Sequence, residues 1–62
     1  MEKPKVKLIG MDGNSFAILG RVKRALAEAG YSREDVAKYV EEATAGDYDH
    51  LLQVTMNWVD VE

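Results

Sequence analysis

His50 is the chain's one histidine, and Asp47 and Asp49 stand within three residues of it. An imidazole beside carboxylates is suited to general-base work or to a share in a metal site near neutral pH. Either chemistry needs a second histidine, a cysteine or a placed nucleophile to complete it. The sequence contains no cysteine, and no such group is spaced to join the three. Carboxylates at a helix start are also expected for dipole reasons alone. These residues therefore predict no catalytic centre, no metal and no cofactor.

A second candidate is the run Gly10-Met11-Asp12-Gly13-Asn14-Ser15, which separates a strand-like segment from a helix-like one. A strand-to-helix turn of this kind can receive an anion on helix N-terminal amides. The run matches neither the dinucleotide-binding glycine pattern nor the P-loop, and no Lys-Ser or Lys-Thr pair follows. A turn that supplies a helix cap accounts for it.

Charge provides a third. Net charge is −3, but residues 1–24 carry six bases and two acids, while residues 25–62 carry two bases and nine acids. Lys3, Lys5, Lys7, Arg21, Lys23 and Arg24 are near enough in the chain to form a positive face. Of these, Arg21, Lys23 and Arg24 are the candidate contacts for an anion or nucleic acid. The acidic remainder opposes phosphate approach, so nucleic-acid affinity is expected to be weak and the two charge sets are expected to neutralise each other on folding.

Positioning these residues falls to one small fold. Residues 5–9 alternate polar and apolar, as does 58–62, the period of a strand with one buried face. Between them, Ile18, Leu19, Val22, Ala25, Leu26 and Ala29 follow helical spacing over 15–29, with Gly30 as the stop. Ser32 and Asp35 make a capping-box-like pair, with Tyr31 stapled onto Val36, and open a second helix from Arg33 whose apolar face is Val36, Tyr39, Val40 and Ala43. Asp47 caps a third, which buries Leu51, Leu52, Thr55 and Met56 and stops at Asn57. Pairing the terminal strands antiparallel sets Val6 across from Val61, Leu8 from Val59, Lys5 from Glu62 and Lys7 from Asp60, so every pair is matched. The predicted fold class is α+β, β-α-α-α-β, a two-stranded antiparallel terminal sheet packed on three short helices, in a single domain over 1–62.

In that register Ile9 lies across from Trp58 on the outer face of the sheet, an apolar pair among charges. Such a face, or an uncovered sheet edge, invites a partner. Because 62 residues without disulfide or metal leave little stability to spare, a symmetric homodimer through the same face or edge is also expected. No apolar run approaches the roughly 18 residues that span a bilayer, and no signal-type apolar segment follows the Lys-rich start, so the expected location is cytoplasmic.

Two resemblances add to this reading. The run 8–20, with Ala43-Thr44-Ala45-Gly46-Asp47-Tyr48-Asp49-His50-Leu51-Leu52 downstream, looks like a group of short prokaryotic and phage-associated proteins of unknown function. That resemblance implies a stand-alone domain and no particular activity. Ala29-Gly30-Tyr31-Ser32-Arg33-Glu34-Asp35-Val36, followed by Leu51-Leu52, is similar to ubiquitin-associated-type three-helix domains, with Ala29 where that family has Met. It implies that Gly30, Tyr31, Leu51 and Leu52 contribute to a binding surface. The sequence thus points to a non-enzymatic protein–protein interaction module using Ile9, Trp58 and Tyr31, with a small nucleic-acid-binding regulator as the alternative.

Overall fold

In the computed structural model, which describes residues 3–62, the chain runs β1 (Lys5–Val6), α1 (Ser15–Glu28), α2 (Arg33–Ala43), α3 (Tyr48–Trp58) and β2 (Asp60–Val61). Each helix starts on a side-chain oxygen that takes up an otherwise orphaned amide. Asn14 accepts from the Phe16 amide at 2.8 Å, Ser32 from Asp35 at 3.1 Å and Asp47 from His50 at 2.9 Å. α1 ends in a Schellman motif: Gly30 has φ +96°, its amide bonds the Ala27 carbonyl, and the Tyr31 amide bonds that of Leu26. Only glycine takes that backbone conformation without strain.

The core is a helical stripe at four-residue spacing, Ile18, Val22 and Leu26, closed by Tyr39 and Ala43 from α2, by Leu51 and Val54 from α3, and by Val6 and Val59. Two polar groups go inside together. Tyr39 and Thr55 are both fully buried and share a hydrogen bond of 2.8 Å between hydroxyls, so neither oxygen is left unsatisfied. Burial pushes the Tyr39 phenol above its ordinary pKa, and the bond to Thr55 pulls the other way.

The sheet corrects the expected fold class. β1 and β2 pair parallel, Lys5 with Asp60 and Val6 with Val61, which leaves a small, mostly helical domain with a minimal sheet. Asp60 donates to the Pro4 carbonyl and Glu62 to that of Val6, while Leu8 and Ile9 both donate to the Glu62 carbonyl. Three helices lie between the strands, and a crossover of that length lets the chain return in either direction. The charge matching that favoured the antiparallel register concerns exposed pairs, worth about 0–1 kcal/mol each, too little to set it. The parallel register also retains one match, Lys5 beside Asp60, and Lys3 reaches Asp60 at 3.9 Å.

Other boundaries shift with it. α3 continues through Asn57 to Trp58, and no non-glycine residue among those described has positive φ, so Asn57 is not a left-handed stop. Val59 is the C-cap of α3 and is buried, while Leu8 and Val61 are half-buried. The buried face of α3 is Leu51, Val54 and Thr55, at i, i+3 and i+4, so Met56, expected inside, is exposed. Ala29, expected on the apolar stripe of α1, is exposed too.

Candidate interaction surface

His50 is held as a structural residue. Its Nε2 lies 2.8 Å from the Glu42 carbonyl, one of the last carbonyls of α2, while its amide donates to Asp47. The ring thereby ties the end of α2 to the start of α3, where a helix leaves its acceptors unpaired. Gly46 makes room for this, since a Cβ there would stand 2.8 Å from His50 Cγ. Among the described residues, no three His, Asp or Glu side chains come together as a metal site.

The turn from Gly10 to Ser15 spends its oxygens on its own backbone. Gly10, at φ +81°, lets the Met11 amide close onto the Leu8 carbonyl. Asp12 accepts from the Asn14 amide at 3.0 Å, and Asn14 in turn caps α1. The Gly13 carbonyl accepts the Tyr48 hydroxyl at 2.6 Å, which pins the start of α3 to the turn. An anion arriving here would meet the Asp12 carboxylate and an amide already in use.

The bases divide between two places. Arg21 and Arg24 line a groove of about 230 Å³ with Lys5, Lys7 and Glu28, and Arg24 pairs with Glu28 at 3.7 Å. Lys23 lies elsewhere, on the rim of the α1–α2 groove of about 560 Å³ beside Tyr31, Arg33 and Val36. Arg21 and Arg24 therefore share a groove that Lys23 does not line.

The Ile9–Trp58 pair does not exist, because it belonged to the antiparallel register. Trp58 ends α3, packs edge-on against Tyr39 at 5.9 Å and tilted against Tyr31 at 6.2 Å, and donates its indole N–H to Glu42 at 3.1 Å. It covers one side of the core with its polar edge satisfied. Tyr31 and Trp58 thus look to each other, whereas Ile9 is 71% exposed next to Glu62. Of the residues singled out by the ubiquitin-associated resemblance, Tyr31 lines the α1–α2 groove, and Leu51 and Leu52 line two others.

Those two other grooves hold what sequence reasoning missed. Among the described residues, five large apolar side chains are exposed, and four of them, Phe16 (80%), Ile9, Met56 (52%) and Tyr48 (45%), line one or both of these grooves. The first, about 270 Å³, lies between Phe16 and Tyr48; the second, about 230 Å³, runs from Tyr48 past Ile9 to Met56. Tyr48 is common to both, so the two grooves adjoin at a ring whose hydroxyl is fixed. Phe16 had a signal: it sits two residues before Ile18, on the far side of the helix from the core stripe. Met56 had none, because its spacing of four from Leu52 fits the apolar face as well as that face's edge. Compared with known proteins, the chain matches no family model, no curated protein and no solved structure.

Proposed function

We propose that this chain is a non-enzymatic docking module that engages another protein through the apolar surface around Tyr48. The observation that supports it is the concentration of Phe16, Ile9, Met56 and Tyr48 on two adjoining grooves, in a chain whose other aromatic residues are buried (Tyr39) or half-buried (Tyr31 and Trp58). Exposed apolar side chains gathered in one place are the usual mark of a contact surface, whereas scattered ones need no explanation. Tyr48 adds preorganisation, since its hydroxyl bond to Gly13 fixes the ring before any partner arrives. Peptides selected from a random display library and titrated into 15N-labelled protein test the reading. The expected result is amide shift changes clustered at Ile9, Phe16, Tyr48 and Met56, abolished by Phe16→Ser with Met56→Ser. Selected peptides that shift only the α1–α2 groove around Tyr31 and Val40 would move the docking site there.

A second reading, a nucleic-acid-binding regulator, is favoured by the shared groove of Lys5, Lys7, Arg21 and Arg24. Glu28 in that groove and the overall charge of −3 weigh against tight phosphate binding. Mobility shifts with duplex DNA, single-stranded DNA and RNA are expected to show no micromolar complex near physiological salt. A tight complex lost on Arg21→Ala with Arg24→Ala would install this reading in place of the first.

A further inference from the structure

We infer that the occupant of the Tyr48 surface is an amphipathic helix of another protein whose apolar anchors are flanked by Lys or Arg. The inference rests on the docking reading and adds the partner's chemistry. Charge is the first argument. The charged residues lining the two grooves, among those described, are Asp12 and Asp47, and the base nearest to them, Lys3, spends its ammonium on the Met56 carbonyl at 3.1 Å and on Asp60 at 3.9 Å. An apolar surface edged by acids selects partners whose anchors are flanked by bases and repels those flanked by acids.

The same edging disfavours a second copy of this chain docking symmetrically. A twofold axis through the surface would face Asp12 and Asp47 with the same residues of the other copy, like charge against like. Geometry supplies the second argument, which concerns the partner's shape. Strand addition needs an exposed edge, and β1 and β2 are two residues each. A helix instead presents side chains at i, i+3, i+4 and i+7 and can place one anchor in each groove on either side of Tyr48.

Two fluorescein-labelled peptides of about 18 residues test this, with Leu and Phe at those spacings and either Lys or Glu at every other position. Fluorescence anisotropy reads their affinity for the wild-type chain, for Phe16→Ser, and for Asp12→Asn with Asp47→Asn. The asparagines keep the oxygens that accept from Asn14 and His50, so both turns stay capped. The expected result is a Lys peptide bound at least about fivefold more tightly than the Glu peptide at low ionic strength. That preference should shrink below about twofold in the double variant or in about 0.5 M salt, and both peptides should lose affinity in Phe16→Ser. Equal binding of the two peptides, still lost in Phe16→Ser, would overturn the charge inference and leave the docking reading in place. Failure of both peptides to bind would overturn the inference, with the display titration judging the docking reading separately. A chain that sediments as a dimer, and as a monomer once Phe16→Ser is made, would assign the surface to a second copy and overturn the inference as well.

Discussion

Two groups of aromatic side chains in this domain have opposite surroundings. Tyr39, Tyr31 and Trp58 pack on one another, with the Tyr39 hydroxyl satisfied by Thr55 and the Trp58 indole by Glu42. Phe16 and Tyr48 are exposed, and the Tyr48 hydroxyl is bonded to the Gly13 carbonyl. The difference separates two uses of one residue class. The covered group converts apolar area into folding free energy, while the open group leaves that area unspent on folding and available to a partner.

Removing the covered group should break the fold. A 62-residue domain has roughly 3–9 kcal/mol of stability at the usual 0.05–0.15 kcal/mol per residue. Tyr39→Ala deletes a fully buried ring at a typical cost of about 3–5 kcal/mol and strands the Thr55 hydroxyl. Circular dichroism at 25 °C is expected to show a largely unfolded chain or one with no cooperative urea transition. A cooperative transition within about 1 kcal/mol of wild type would mean that the covered group is not what holds the helices together.

The Tyr39–Thr55 bond sharpens the comparison by separating its polar part from its packing. Tyr39→Phe and Thr55→Val are each expected to cost about 1–3 kcal/mol, since each leaves one buried hydroxyl without a partner. The double variant removes both hydroxyls and should cost at least about 1 kcal/mol less than the sum, a coupling that urea titrations can measure. The same phenol gives the domain an alkaline limit. Because burial raises the Tyr39 pKa in the folded state, the unfolded chain loses that proton first as pH rises. Stability is therefore fully present below the unfolded phenol pKa of about 10 and falls as pH climbs through the folded value. Tyr39→Phe should remove this component of the alkaline slope.

The helices were legible because their signals are local. Asn14, Ser32 and Asp47 cap within three residues of themselves, and Gly30 acts on the turn before it. Ile18, Val22 and Leu26 repeat on a fixed period. The sheet was not legible, since its direction depends on how three helices pack, and the charge pairs read as decisive are weak in water. Missing the direction removed the Ile9–Trp58 pair, because that pair had no support besides the register. Ile9 is exposed and Trp58 half-buried, while nothing local in the sequence groups Phe16, Tyr48 and Met56. Their meaning lies in being brought together around the 35-residue link between Gly13 and Tyr48.

Gly46 marks the border between the two regions, since it lines the Phe16–Tyr48 groove while making space for His50. In Gly46→Ala the new Cβ meets the imidazole at 2.8 Å, and the ring must leave the Glu42 carbonyl. A loss of about 1 kcal/mol is expected, close to that of His50→Ala. Once His50 is Ala, adding Gly46→Ala should cost little more, because the contact and the bond have already gone. Additive losses in thermal melts would show that Gly46 matters for some reason other than its closeness to His50.

The smallest expected effect concerns the open group and completes the contrast. Phe16 is 80% exposed, its side chain is in no described aromatic pair, and it lies across α1 from the buried stripe. Phe16→Ser should therefore shift stability by no more than about 0.5 kcal/mol in either direction, the usual range for surface positions free of special contacts. Serine in the first turn of a helix is well tolerated, so helix formation does not confound the measurement. Urea midpoints with an unchanged slope would report this directly, since an altered slope would mean a change in exposed area. Neutrality matters because an apolar ring that contributes nothing to the fold, beside a tyrosine fixed to Gly13, is explained by what it can contact outside the chain. A loss above about 1 kcal/mol would instead make Phe16 a member of the core, and the apolar surface would shrink to Ile9, Tyr48 and Met56.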